Sequence, residues 1–214
     1  MNIPFVVLKF RRNIEDYGWS VTLRKSLGYL FRALYAHQVY RIYSIDLTKP
    51  HASPGSDGHG LTFRILSGDD DRIINQIENV HEWLRGELKE SIKCGALCLT
   101  ALEGDFVAGF NLISFGEVTM HLVNKRRAFR PGQAWSEQIA VDKAFRQRGL
   151  GAQLRYRAFE ELRGRGFKRL YGGALTSNIA SLKLARKVGF REVVDVHYWR
   201  VLGRDSWRYV RVKP

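Results

Sequence analysis

The stretch that most constrains this chain runs from Trp135 to about Arg163. An apolar strand-like segment, Trp135 to Val141, leads directly into Asp142-Lys-Ala-Phe-Arg146-Gln-Arg148-Gly149-Leu-Gly151, and a helical pattern follows from about Leu150. Two glycines at the junction let the backbone turn sharply and allow a ligand to approach it closely. The first amides of such a helix have no partner within it, and the helix dipole adds positive potential there. Arg146 and Arg148 bring two guanidiniums suited to phosphate oxygens. The segment therefore has the physical make-up of a pyrophosphate cradle. It lacks the Lys-Ser/Thr of a P-loop and the third glycine of a dinucleotide fingerprint. A tight strand-to-helix turn with surface arginines would have the same sequence, so the spacing alone leaves both readings open.

The flanking pattern sets the fold class. Lys168 to Thr176 is expected as a strand, Ile179 to Val188 as a helix and Arg191 to Leu202 as a strand paired with Trp207 to Val212. Upstream, Leu61 to Leu66 reads as a strand. A helix opens at Asp69-Asp70-Asp71, where carboxylates suit the dipole, and its spacing continues through about Ile92. Ala96 to Leu102 and Phe106 to Phe115 flank the turn Glu103-Gly104-Asp105 as a β-hairpin, and Glu117 to Val123 is a further strand. Strands followed by strand–helix–strand–helix–strand imply an α/β domain with a mixed sheet and helices on its faces.

Residues 1–50 are expected to form an N-terminal extension. Leu23, Leu27, Leu30, Phe31, Leu34 and Tyr35 fall on one face of a helix over 12–37, with Arg24, Lys25 and Arg32 off that face. Val39 to Leu47 alternates as a strand. Residues 51–60, within a Pro/Gly-rich stretch, read as a linker ahead of a domain over 60–214. The helix stripe packs on the rest of the protein or lies in an anionic membrane interface; the sequence leaves both open, and with them a homodimer.

Composition excludes several classes. The 214 residues are 45% hydrophobic and 12% aromatic, enough for a real core and unlike a disordered chain. Cys94 and Cys98 form no framework with a second pair, and the six histidines do not cluster, so neither a disulfide scaffold nor a metal site is expected. The start of the chain, with apolar residues ahead of basic ones, reverses the order of a signal peptide, so none is expected there, and no run is long enough to span a bilayer. A cytoplasmic, at most membrane-peripheral, location is expected. The net charge of +14 is concentrated after residue 140, with 18 Lys/Arg against 6 Asp/Glu. It suits an anionic partner. A basic nucleic-acid- or membrane-binding module is the alternative reading, although no nucleic-acid-binding signature is present.

The segment around Arg146, Gly149 and Gly151 resembles the acyl-CoA-binding motif of the GNAT superfamily, [Q/R]-x-x-G-x-[G/A] after a strand. Asn178-Ile-Ala-Ser181-Leu-Lys-Leu184-Ala-Arg-Lys-Val-Gly189-Phe190 resembles its second motif, in the right order and spacing. The similarity covers about Trp135 to Val193. It implies the GNAT fold, a central, mostly antiparallel mixed sheet flanked by helices. It further implies an N-acyltransferase that moves acetyl from acetyl-CoA, or another acyl from its CoA thioester, to a primary amine without a covalent acyl-enzyme. A GNAT-fold protein that binds CoA without catalysis is also compatible.

By that resemblance, main-chain groups of Gln138, Ile139, Ala140 and Val141 would hold the pantetheine. Arg146, Gln147, Arg148, Gly149, Leu150 and Gly151 would hold the pyrophosphate, and Asn178 and Ser181 would lie at the pantetheine or leaving thiol. The strand carrying Glu137 and the next one would splay to admit the thioester. Glu137 is the first candidate for the base that takes the amine proton, with Glu117 and His121 behind it; a structural carboxylate is the plain alternative. Many family members carry a tyrosine seven residues after the motif asparagine. Here Ala185 stands there, so Ser181 or Tyr171 would serve as acid, or none is needed. The acceptor is expected to be a small-molecule or sugar amine, and the basic balance leans towards one that also carries anionic groups.

Overall fold

The computed structural model describes residues 35–51, 60–81 and 84–212. In chain order the elements are β1 (Tyr35–Asp46), β2 (Thr62–Ile65), α1 (Asp71–Val80), α2 (Glu87–Lys93), β3 (Leu97–Glu103), β4 (Phe106–Phe115), β5 (Glu117–Met120), β6 (Lys125–Ala128), β7 (Gln133–Val141), α3 (Leu150–Gly164), β8 (Arg169–Leu175), α4 (Ile179–Lys187), β9 (Arg191–Val201) and β10 (Arg204–Arg211). Internal contacts divide the chain into two units, Tyr40–Val196 with Val210–Pro214, and Met1–Val39 with His197–Tyr209.

In the larger unit the hydrogen-bonded order is β9-β1-β8-β7-β4-β3-β2. The β1–β8, β2–β3, β3–β4 and β4–β7 pairs are antiparallel, while β7 and β8 are parallel. The sheet is mixed and mostly antiparallel, as expected. A separate ribbon joins β5 to β6. One apolar cluster gathers Ala152, Leu154, Phe159 and Leu162 of α3 with Leu182 and Ala185 of α4 against Ile113, Leu99 and Leu170. A second gathers Ile74 and Ile77 of α1 with Leu88 and Ile92 of α2 against Cys98, Phe110 and Leu112. Side chains alternate along β4, so Phe110 and Leu112 enter one cluster and Ile113 the other. Each fully buried aliphatic or aromatic side chain contributes about 1.5–3 kcal/mol relative to exposure, so burial on both faces holds the sheet as the middle layer.

In the smaller unit β9 and β10 close through Leu202 and Gly203, both at positive φ (50° and 76°), the turn geometry that matches the twist of a two-residue hairpin. Asp205 accepts hydrogen bonds from the Tyr198 hydroxyl at 2.8 Å and from Arg200 at 2.8 and 3.2 Å. The rings of His37, His197 and Trp199 stack on one another.

Several elements differ from expectation. The helix over 12–37 lies outside the described residues except for Tyr35–His37, which belong to β1. Val39 to Leu47 continues their alternation, and a β-rich run carries its neighbours into the strand. Tyr40–Asp46, grouped in sequence with the extension, forms an interior strand between β8 and β9. The helix expected to reach Ile92 is two, interrupted before Gly86, which sits at φ 77°. The strand from Glu117 ends at Met120, where a 3-10 turn over His121–Val123 begins, and β6 was not anticipated. Its sequence, Lys-Arg-Arg-Ala, has no apolar alternation to mark it.

Candidate active site

β7 carries the first part of the site. Its parallel pairing with β8 runs from Gln133 opposite Arg169 to Ser136 opposite Gly172 and stops there. From Glu137 onward the strands diverge, and the main-chain groups of Gln138 to Val141 on that side are left without a strand partner. On its other side β7 stays paired to β4 through Val141, but the register slips. Leu112 faces Gln138 and Ile113 faces Ser136, so Glu137 is an extra, bulged residue. A bulge re-aims the side chains around it.

The strand then feeds the loop. Asp142 accepts a hydrogen bond from the Ala144 amide at 2.9 Å and caps a 3-10 turn over Lys143–Phe145. Arg146 donates through Nε to the Val141 carbonyl at 3.1 Å, which ties the loop back to the strand end. Gln147 holds φ 63° and Gly149 φ 81°. A glutamine in that region is uncommon and strained. The alternation of positive and negative φ turns successive amides to the same side, an anion-binding concavity, and α3 begins at Leu150. A Cβ on Gly149 would meet nothing within 4 Å, so that side of the loop is open. Gly151 serves packing as well: a Cβ there would come 3.2 Å from Leu184 of α4. Arg148 lies 5.6 Å from the Phe145 ring centroid. The loop suits a diphosphate by its backbone, with Arg146 partly committed to holding it.

Asn178 caps α4, its Oδ1 accepting from the Ser181 amide at 3.1 Å. Ala185, where the family tyrosine would stand, is buried in the core beside α3.

A cavity of about 430 Å3 opens beside the bulge. Trp135, Glu137 and Gln138 line it from β7, Glu87 from α2, His121 from the turn after β5, and Tyr40 from β1. Two of the expected proton-handling residues, Glu137 and His121, thus share one cavity. Glu117 does not: it lies exposed on the β5–β6 ribbon, 3.6 Å from Arg126. Tyr171 pairs opposite Trp135 in the closed part of the β7–β8 ladder and packs on Phe129. Ser181 is in the first turn of α4.

Several residues at this place were not read from the sequence. Gly172 and Gly173 of β8 give the tyrosines of β1 their room. A Cβ at Gly172 would come within 2.7 Å of the Tyr43 ring. One at Gly173 would come within 2.3 Å of the Tyr40 ring and 2.7 Å of its hydroxyl. A glycine pair inside a strand signals such a close approach. Burial raises both phenols above the ordinary tyrosine value, strongly for Tyr40. Arg155 of α3 is 3% exposed. It donates to the Ser136 hydroxyl and, at 3.4 Å, to Asn111 Oδ1. Ser136 also donates to Asn111, at 3.2 Å. No carboxylate pairs with Arg155 among the described residues, and desolvation lowers its pKa. A buried cation without a counter-charge is costly. Arg155 lowers the pKa of both Tyr40 and Tyr43, a smaller effect than their burial.

Among the described residues no group of three metal-ligating side chains occurs, and no helix is long and apolar enough to cross a membrane. Residues 69–190, more than half of the chain, match the model of the acetyltransferase (GNAT) family, and the chain belongs to that family. No curated protein matches the sequence. The fold is similar to that of a GCN5-related N-acetyltransferase from Sphaerobacter thermophilus, with 17% identity, a TM-score of 0.57, and coverage of 87% of this chain and 56% of that one. It is also similar to a GCN5-related glucosamine N-acetyltransferase region of a fungal multi-domain β-N-acetylglucosaminidase, with 13% identity, a TM-score of 0.59, and coverage of 81% and 22%. An aminoglycoside N-acetyltransferase solved with CoA shares 18% identity at a TM-score of 0.50, with coverage of 61% and 92%. The chain thus spans little more than half the length of the Sphaerobacter protein.

Proposed function

We propose that this protein transfers an acyl group, acetyl in the first instance, from its CoA thioester to a primary amine of a small molecule by direct attack in a ternary complex. The observation that carries this reading is the end of β7–β8 pairing at Ser136 and Gly172, which leaves a free strand edge leading straight to the Gly149 loop. The pantetheine arm adds to that edge as an extra strand, with hydrogen bonds to main-chain groups of Gln138 to Val141. Amides from Arg146 to Gly151 receive the diphosphate at the start of α3. Asn178 and Ser181, at the start of α4, sit towards the pantetheine. The thioester then lies in the gap beside Glu137.

Glu137 is the base in this reading. The bulge sets it in the cavity wall, within reach of an amine that enters from the cavity side. The attacking amine must be neutral, and Glu137 takes its proton directly or through one water. Glu87 is a second carboxylate in the lining, and among the described residues no lysine or arginine lines the cavity. This local balance favours a cationic acceptor, the opposite of what the net charge of +14 suggests.

The test is thiol release from acetyl-CoA in the presence of a panel of amino sugars, polyamines and aminoglycosides. At least one amine is expected to raise release well above background hydrolysis. Glu137→Gln is expected to lower that turnover about 10²- to 10⁴-fold while leaving acetyl-CoA affinity unchanged. Full activity in the variant would remove Glu137 from the role of base.

A further inference from the structure

Tyr40 reaches the point where the β7–β8 ladder ends, on the cavity that Glu137 and Gln138 also line. It comes from β1, which inserts between β8 and β9 and lies outside the matched residues 69–190. Register sets Ile42 opposite Gly173 and Tyr40 opposite Leu175. The Tyr40 ring crosses β8 over Gly173, with its hydroxyl 2.7 Å from where a Cβ there would be. Gly173 is the first β8 residue beyond the last pair of the β7–β8 ladder, Ser136 with Gly172. The side chain is 5% exposed, and what it shows faces the cavity shared with Glu137 and Gln138. Any side chain at Gly173 would push the ring away.

We propose that the Tyr40 hydroxyl donates a hydrogen bond to the departing sulfur of the acyl donor, a catalytic role contributed by the inserted strand. This rests on the acyltransferase reading above. The amine nitrogen bonds to the thioester carbonyl carbon, and the C–S bond breaks with its electron pair passing to sulfur. The amine proton goes to Glu137 and from there to solvent. The sulfur leaves as a thiolate that accepts the Tyr40 hydrogen bond, and Tyr40 keeps its proton throughout. Burial suits it to this, because a phenol whose pKa is raised stays a donor over the whole working range. A fixed donor aimed at developing charge in a desolvated gap needs no reorganisation during the reaction. Arg155, also close enough to act on Tyr40 electrostatically, adds positive potential.

The proposal is tested on bound CoA, with no acceptor needed. Ionisation of the CoA thiol is followed by its ultraviolet thiolate band, as a difference spectrum against the same protein carrying desulfo-CoA. In the wild type the bound thiol is expected to ionise at least about one pKa unit below free CoA, a tenfold shift. Tyr40→Phe, which keeps the ring, and Gly173→Ala, which displaces it, are both expected to return the pKa towards that of free CoA. Equal thiol pKa values in wild type and Tyr40→Phe, with equal CoA affinity, would overturn the role of Tyr40 and leave the acyltransferase reading standing. Failure of the wild type to bind CoA would overturn both.

Discussion

At the scale of single residues, the site depends on groups whose neighbours fix their protonation state. Tyr43 packs edge-on against Phe190 at 4.9 Å and sits beneath Gly172, and burial raises its pKa. This has a consequence for stability at alkaline pH. Below about 10, the ordinary tyrosine value, both folded and unfolded chains keep the proton, and the contribution of Tyr43 is fully present. As pH rises past that value the unfolded chain ionises first, and stability is lost until the folded pKa is reached. Melting temperature measured between about pH 9 and 11 is therefore expected to fall less steeply for Tyr43→Phe than for the wild type. Identical slopes would contradict the assignment. Reading the sequence residue by residue picks out Asn178 and the Arg146–Gly151 run by motif spacing, and Glu137 by its place on the strand that leads into that run. It missed Tyr40, Glu87 and Arg155, since their meaning comes from contacts across strands and helices far apart in the chain. The Gly172-Gly173 pair was the available sign that something large lies over β8.

At the scale of elements, the strand edges and the helix starts do the positioning. α3 and α4 were legible from their 3.6-residue spacing and their Gly149 and Asn178 starts, and the β3–β4 hairpin from its Gly104 turn. Two features were not. A one-residue bulge leaves no trace in composition, and the sequence cannot show that β1 enters the sheet beside β8, because pairing partners are chosen by tertiary packing. The joint between β4 and β7 is tight where it matters most. A Cβ at Gly109 would come 2.8 Å from the Ala140 carbonyl oxygen and 3.2 Å from Leu154. Backbone cannot yield as a flexible side chain does, so Gly109→Ala is expected to cost about 1–3 kcal/mol. At roughly 2–4 °C per kcal/mol for a chain of this size, thermal unfolding should show it plainly. Because Ala140 and Val141 form the free edge of β7, the same variant should also weaken acetyl-CoA binding. An unchanged melting temperature would mean that the two strands are not held at this spacing.

At the scale of the whole molecule, charge and site have different signs. The +14 net charge lies mostly in the C-terminal third, yet the charged side chains that line the cavity among the described residues are the carboxylates Glu87 and Glu137. Net charge governs the long-range field and steering of an anionic donor, while the acceptor meets the local groups. Composition thus speaks to a globular chain and to its long-range field, while the acceptor is chosen by the local groups. The N-terminal helix expected over 12–37 lies almost wholly outside the described residues, so its packing or membrane role stays a proposal. Vesicle co-sedimentation with and without residues 1–37 addresses it.

If the free edge of β7 and the Gly149 loop form an acyl-CoA site, isothermal titration of acetyl-CoA reads its occupancy without any acceptor. Gly149 is at φ 81° with open space before it, and aspartate is among the residues that tolerate this conformation. Gly149→Asp therefore places a carboxylate against the diphosphate position while the fold is kept. The account predicts micromolar binding by the wild type and none by Gly149→Asp, at matching melting temperatures without ligand. Absence of binding by the folded wild type, or equal binding by the variant, would contradict it.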